Sequence, residues 1–475
     1  VEHDPFSGGD DLISSCPRLL VGGANSGVGK TSVALALVSA LRKRGLRVQT
    51  FKVGPDYLDP TYHTIVSGKP CYNLDGWMTN REYVRRLFIR STADADIAVV
   101  EGVMGLFDGA NPDDLEGSTA ETALWLDAPV ILVVNVHGLA RSLAPIVKGY
   151  AEFEPGLELA GVVANWCGSA RHGEMLAVAL EHSGLPELVG AIPRGAFPDL
   201  PGRHLGLVTA DSQILKSETV AALGEALERH ADVDRFVDIA GRAAPLQEAE
   251  QESRPSIRKR KVRLGVAYDA AFHFYYQDNL EALEEYGCEI VRFSPLGEQT
   301  LPDRLDALYI GGGYPEEFAE RLANNSGMLD SVRAFAATGK PIYGECGGLM
   351  YLSEGIETLD GRLHNLVGLL PARTRMLDRL KSLGYVETIL AEDSLFGAKG
   401  SRLRGHEFHY SELLNDPAEG SAWNAIYRAK RRRADAAVPE GYQNGRVLVS
   451  YVHMHFASRP GAVRHFIKVC SGVSG

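Results

Sequence analysis

The stretch Leu19-Leu20-Val21-Gly22-Gly23-Ala24-Asn25-Ser26-Gly27-Val28-Gly29-Lys30-Thr31 reads as an apolar strand, Leu19-Gly22, running into a glycine-bearing loop. The amphipathic run Ser32 to Arg44 follows as a helix. A strand, loop and helix in this order form the context in which a phosphate loop works. Gly27 and Gly29 let the backbone close around an anion, amide N–H groups and the helix N-terminus face it, Lys30 reaches the outer phosphates, and Thr31 is placed to ligate magnesium. Ser32 completes the candidate nucleotide contacts. Ala24 departs from the usual first glycine. A glycine-rich turn without nucleotide gives a similar string, but the intact Gly29-Lys30-Thr31 argues against it.

Outward from this loop, short Val-, Ile- and Leu-rich runs alternate with longer amphipathic ones, the pattern of a parallel sheet wrapped by helices. The expected strands are Arg47-Phe51, Ile97-Glu101, Val130-Asn135, Gly161-Asn165 and Val189-Pro193. Ile97-Glu101 ends in a carboxylate, the arrangement that brings an acid to a phosphate-bound metal, so Glu101 is the second metal candidate beside Thr31. An acid at an exposed sheet edge is the plainer alternative. In Phe51-Lys52-Val53-Gly54-Pro55-Asp56-Tyr57-Leu58-Asp59-Pro60, prolines and a glycine stop a strand and hold Asp56 and Asp59 in a rigid loop. That loop falls at the sheet edge where ligands of open α/β sheets collect, though ordinary turn residues produce such strings too.

A chain of 475 residues exceeds what a single core usually organises. Between residues 243 and 261 periodicity lapses and Gln, Glu, Ser and Pro give way to Arg258-Lys259-Arg260-Lys261. The expected organisation is therefore a domain at 17–242, a linker at 243–261 and a second α/β domain at 262–475. With 49 Lys plus Arg against 61 Asp plus Glu, a net charge of -12 and 45% hydrophobic residues, the composition argues against general nucleic-acid binding. The basic run reads as a solvated linker end, because no aromatics interleave it. No apolar run reaches the roughly 18 residues that span a membrane, and Val1 to Cys16 is polar and acidic rather than signal-like, so a cytoplasmic location and no membrane partner are expected. Cys16, Cys71, Cys167, Cys288 and Cys470 lack paired short spacings and read as inert thiols.

The sixth cysteine differs. After the linker the expected strands are Leu264-Tyr268, Ile290-Phe293, Ala307-Ile310, Pro341-Gly344 and Val447-Val452, with helices at Asp278-Tyr286 and Ser331-Thr338. Pro341-Ile342-Tyr343-Gly344-Glu345-Cys346-Gly347-Gly348-Leu349-Met350 puts Cys346 at the turn from strand to helix, a nucleophile elbow with sulfur in place of oxygen. The following helix N-terminus is expected to lower the thiol pKa. Ile310-Gly311-Gly312-Gly313-Tyr314 ends another strand with backbone suited to an oxyanion, Gly312 and Gly313 being the candidates, although a plain glycine turn reads the same. His453 and His455, two apart on a terminal strand segment, share one face, where a base for Cys346 is expected.

The strings Ser26 to Thr31, Phe51 to Pro60, Asn73-Leu74-Asp75-Gly76-Trp77-Met78 and Glu101-Gly102-Val103-Met104-Gly105-Leu106-Phe107-Asp108-Gly109 together resemble the cobyrinic acid a,c-diamide synthases. The likeness runs over nearly the whole chain after Cys16. It implies a dethiobiotin synthetase-like P-loop domain that uses ATP and Mg2+ to phosphorylate a tetrapyrrole carboxylate. It also implies a class I glutamine amidotransferase-like domain that supplies ammonia from L-glutamine at Cys346. Carried onto matching positions, Asp56, Asp59 and Glu101 support acyl-phosphate formation, Tyr57 and Leu58 face the substrate, and Asp108 assists a conformational or metal-linked step. Asn165 is placed to read the adenine edge. His453 matches the catalytic histidine, while His455 stands where class I domains commonly carry glutamate. Arg404-Gly405-His406-Glu407-Phe408-His409-Tyr410-Ser411 also matches the family without an assignable role. Cobyrinic or hydrogenobyrinic acid is the expected acceptor, with nickel-sirohydrochlorin or sirohaem as the alternatives and a homodimer as the family's expectation. A regulatory P-loop ATPase is the distant alternative, disfavoured because Asn25 stands where partitioning ATPases carry a second lysine.

Overall fold

The computed structural model describes residues 12–200, 202–203, 206–207, 215–248, 262–432 and 434–472. The chain divides into two compact units between Glu252 and Ser253.

In the first unit a seven-stranded sheet runs in the order Tyr72–Leu74, Val48–Val53, Ile97–Glu101, Arg18–Gly23, Val130–Asn135, Leu159–Cys167, Leu188–Pro193, all neighbours parallel. Strands such as Arg18–Gly23 and Ile97–Glu101 are buried along their whole length, which requires apolar cover on both faces. Helix Lys30–Lys43 supplies one cover, with Val33 through Leu41 buried between the sheet and neighbouring helices such as Ser217–His230. Each such fully buried Leu or Val contributes on the order of 1.5–3 kcal/mol. Helix Arg81–Ser91 covers the opposite face and is capped by Asn80, whose side chain accepts from the Tyr83 N–H. The phosphate loop thus leaves the central strand, and the loops after Val53, Glu101 and Cys167 leave the same carboxyl edge.

The expected strands recur with ends moved by up to two residues, and Tyr72–Leu74 is an additional edge strand. One expectation needs correction. Within the supposed linker, Leu246–Glu248 is a strand paired with Leu12–Ser14, and Glu248 Oε2 accepts from Arg85 Nε at 2.9 Å. The first unit therefore holds this segment. The basic run Arg258-Lys261 lies outside the described residues.

The second unit is built on a ten-stranded sheet. Cys288–Phe293, Val262–Ala267, Ala307–Ile310, Ile342–Glu345 and Val447–Ser450 are parallel; Val438–Asn444, Asn424–Arg431, Ser382–Leu390, Arg402–His409 and His453–Met454 continue it antiparallel. The expected last strand, Val447-Val452, stops at Ser450, and His453–Met454 pairs at the far end of the antiparallel run. Three residues of chain cover at most about 10 Å, so the run curls round until its two ends nearly meet. A four-stranded sheet of Leu363–Asn365, Ser353–Glu357, Leu370–Met376 and Ser411–Leu413 accompanies it. Among the described residues no helix is long and apolar enough to cross a membrane.

Candidate functional sites

At the edge of the first sheet, Gly27 and Gly29 both take positive φ, 78° and 91°, and Gly29 caps helix Lys30–Lys43. A Cβ on Gly29 would stand 2.3 Å from the Asn165 amide nitrogen. Gly29→Ala is therefore expected to weaken nucleotide binding at least about tenfold, read by titration with an ATP analogue. The Asn165 Nδ2 donates to Val28 O at 2.8 Å, and its Oδ1 accepts from the Trp166 N–H at 2.9 Å. One amide hydrogen thus tethers the phosphate loop, a contact the sequence did not announce.

Lys30 is buried, and its ammonium donates to the carbonyl oxygens of Asn25 and Met104. Burial, then the nearby Lys52, pulls its pKa below the ordinary lysine value. Ser32 lies in the first turn of the same helix. Thr31 Oγ1 donates to Glu101 Oε1 at 2.6 Å and lies 3.4 Å from Asp59 Oδ2.

Two residues that the motif reading passed over complete this cluster. Lys52 Nζ reaches Asp59 Oδ2 at 2.6 Å and Glu101 Oε1 at 2.8 Å, and His63 Nε2 meets Glu101 Oε2 at 2.5 Å. His63 was findable: it lies four residues after Asp59 on helix Asp59–Ser67, hence on the same face. Burial opposes the charge on Lys52, but Asp59 and Glu101 outweigh it and hold the ammonium protonated. Burial likewise opposes ionisation of Glu101, yet Lys52 and His63 keep its carboxyl far below the usual range. Asp59 is pushed upward by burial and by Asp56, against the pull of Lys52.

Asp56 Oδ1 accepts the N–H groups of Leu58 and Asp59 at 2.8 and 3.0 Å, fixing the turn that starts the helix; Tyr57 and Leu58 are half-buried on it. Asp108 is exposed, with Oδ2 accepting from the Gly105 N–H at 2.8 Å, in the loop whose Met104 carbonyl holds Lys30. Among the described residues no group of three His, Cys, Asp or Glu side chains would hold a metal by itself. The hydroxyl of Thr31 and the carboxylates of Glu101 and Asp59 are nevertheless hard oxygen donors. They fit Mg2+, which would complete its shell with phosphate and water.

In the second unit Cys346 has φ 48° and ψ -98°, a strained backbone for a non-glycine residue, at the junction of strand Ile342–Glu345 and helix Gly347–Leu352. Its N–H donates to Ser450 O at 2.7 Å, and its Sγ lies 3.9 Å from Phe408 O. The expected lowering of the thiol pKa does not hold. Burial foremost, then Glu316, drives it well above the ordinary value despite the Gly347 N–H. The following helix has only six residues, too little to offset that desolvation.

Gly312 approaches the histidine closely: a Cβ there would stand 2.4 Å from His453 Cε1. Gly312 O accepts the N–H groups of His273 and Phe274 at 3.0 and 3.1 Å, and Gly313 N lies 3.1 Å from where Gly347 would carry a Cβ. The glycine loop therefore runs between the elbow and His453. The His453 ring stacks on His406, with centroids 5.0 Å apart, and its Nδ1 lies 3.8 Å from Glu345 Oε2. His455 Nε2 instead pairs with Asp278 Oδ2 at 3.2 Å, beside Tyr276.

The Arg404 to Ser411 string now has a place. His406 is laddered opposite His453 and bonded to the Tyr276 hydroxyl at 2.8 Å, and burial holds it neutral. Glu407 takes a two-point bond from Arg431 at 2.6 and 2.8 Å. Phe408 offers its carbonyl to Cys346, and His409 stacks on Tyr451 at 4.1 Å, its pKa pushed down to about 4 by burial.

Comparison with known proteins agrees with both halves. Residues 19–208 match the family described as CobQ/CobB/MinD/ParA nucleotide binding domain, and residues 263–461 the CobB/CobQ-like glutamine amidotransferase domain. The chain is 57% identical to the cobyrinate a,c-diamide synthase of Syntrophotalea carbinolica, over 97% of this chain and 100% of that one. It is 43% identical to the enzyme of the same name from Leptospira interrogans, over 96% and 98% of the two chains. With that of Priestia megaterium it shares 41% identity over 95% and 97%. A nucleotide-binding sheet and an amidotransferase unit, aligned end to end with such relatives, make the chain a glutamine-dependent amidoligase of the cobyrinate a,c-diamide synthase family.

Proposed function

We propose that this amidoligase converts the a and c side-chain carboxylates of cobyrinic or hydrogenobyrinic acid to amides, each through an acyl phosphate. The supporting observation is the convergence of Thr31, Lys52 and His63 on Glu101 beside the phosphate loop, with Asp59 joined to the same lysine. A carboxylate is a poor electrophile, and attack of its oxygen on the γ-phosphorus of ATP, with ADP leaving, makes it a good one. Ammonia then attacks the carbonyl carbon and phosphate departs. Lys30 offsets the charge on the transferred group, and Gly27, Gly29 and Ser32 line the phosphates. Thr31 and Glu101 would hold Mg2+, which supplies charge neutralisation when bound. Asp56, Asp59 and Glu101 support acyl-phosphate formation. Lys52, kept charged, lets an anionic acceptor approach these acids. Tyr57 and Leu58 face the tetrapyrrole, Asp108 serves the conformational or metal-linked step, and the second amide hydrogen of Asn165 reads adenine.

In the same proposal Cys346 is the glutaminase nucleophile, His453 its base, and Gly312 and Gly313 the oxyanion loop; His455 supports the histidine cluster from behind. Cys346 Sγ attacks the side-chain carbonyl of glutamine, ammonia leaves, and water cleaves the thioester to glutamate. Because the resting thiol is protonated, the base must take the proton as attack occurs.

The test is to incubate the protein with cobyrinic acid, hydrogenobyrinic acid, nickel-sirohydrochlorin or sirohaem, together with ATP, Mg2+ and glutamine, and to weigh the products. Two carboxyl-to-amide replacements on a corrin acid are the expected result. Amidation confined to nickel-sirohydrochlorin or sirohaem would move the acceptor assignment, and no mass change on any tetrapyrrole would end it.

A further inference from the structure

We infer that Glu345, the residue before the elbow cysteine, is the positioning residue that orients His453, filling the place left by the His-x-His ending. The inference rests on Cys346 and His453 being nucleophile and base. A histidine base works when a third group fixes its tautomer and ring direction. The residue two positions after His453 is itself a histidine, and its Nε2 is engaged with Asp278 at 3.2 Å. Glu345 lies instead on the Nδ1 side of His453, its Oε2 at 3.8 Å.

That carboxylate is built in. It is 1% exposed and accepts from the hydroxyls of Tyr309 at 2.8 Å and Tyr343 at 2.6 Å and from the Met454 N–H at 3.1 Å. The last bond ties Glu345 to the residue after His453, so the same side chain fixes the backbone that carries the ring and faces its nitrogen. A carboxylate at Nδ1 favours the tautomer with the proton there and leaves Nε2 as the base. As Cys346 Sγ bonds to the glutamine carbonyl carbon, its proton passes to Nε2, and the imidazolium is stabilised by Glu345. The proton then goes to the amide nitrogen that leaves as ammonia. His406, stacked on the other side and held neutral by burial, adds no competing charge.

The experiment is a double-mutant cycle on Cys346 reactivity. Iodoacetamide, which reacts with thiolate, is applied to the full chain and to its Glu345→Gln, His453→Ala and doubly substituted forms, and Cys346 alkylation is followed by mass. Glu345→Gln is expected to slow alkylation about tenfold and His453→Ala about 100-fold. The double variant should be no slower than His453→Ala alone, because Glu345 acts through that ring. Glutaminase kcat of Glu345→Gln should fall while KM for glutamine stays within about twofold. Losses that add, including those of a misfolded Gln variant, or an unchanged rate in Glu345→Gln, overturn the inference while the base assignment stands. An unchanged rate in His453→Ala overturns the base assignment itself, and the inference with it.

Discussion

Cys346→Ala is expected to abolish amidation driven by glutamine, by at least about 1,000-fold, while amidation driven by added ammonium persists within about twofold. The contrast follows from the separation of chemistries. In the proposed mechanism Cys346 takes the acyl group of glutamine, whereas the acids and lysines around Glu101 belong to the other unit and are untouched. The side chain is small and only its sulfur is lost, so the strained elbow and the helix after it should remain. Parallel assays with glutamine and with ammonium chloride, both followed by amide product, decide the matter. Equal loss with both nitrogen sources would count against the nucleophile assignment. Glutamine-driven turnover that survived would do so more directly.

Glu101→Gln is expected to do the opposite: to remove amidation with either nitrogen source, by two orders of magnitude or more, and leave hydrolysis of glutamine intact. Glu101 is fully buried and receives Thr31, Lys52 and His63 on its two oxygens. An amide cannot balance the Lys52 ammonium, nor accept on its nitrogen from His63. Removing one partner of a buried ion pair typically costs about 3–5 kcal/mol, although Asp59 remains to Lys52 and reduces that figure. A lowered melting temperature should therefore accompany the loss of turnover. Because Lys52 and His63 hold the native carboxyl pKa far below its unfolded value, the stabilisation by Glu101 is full above the unfolded pKa. It is lost as pH falls toward the folded one. The wild-type protein should thus lose more melting temperature on acidification below about pH 4 than the Gln variant does.

What the sequence made legible has a physical common thread. Leu19 to Thr31 and Pro341 to Met350 are local objects: a few adjacent residues dictate strand, turn and helix, and the structure has them where the pattern puts them. The antiparallel half of the second sheet is different. Strands such as Arg402–His409 and Asn424–Arg431 carry charged residues among their apolar ones and are specified by partners far away in the chain. Tyr72–Leu74 is too short to show a period. The candidate sites divide in the same way. Glu101 and Cys346 stand at strand ends and could be named from their neighbours, and His63 carried only the weak signal of its spacing from Asp59, while Lys52 became a functional candidate only when the sheet edge brought it onto Glu101. The thiol pKa differs from the expectation because a helix terminus is visible in sequence, whereas the burial of the thiol and the gathering of half-buried Glu316 with buried Glu345 and Glu407 around it are not.

The curled antiparallel run has a consequence for how the protein comes into being on the ribosome. Every other strand of that run precedes His453 in the chain, and His453–Met454 finds its place only by pairing with Arg402–His409 after the run has bent round. A growing chain that has already exposed Cys346 therefore still lacks the histidine proposed as its base. Stalled nascent chains ending between the cysteine and the histidine should hydrolyse no glutamine, and on the proposed mechanism half-made molecules would release no ammonia.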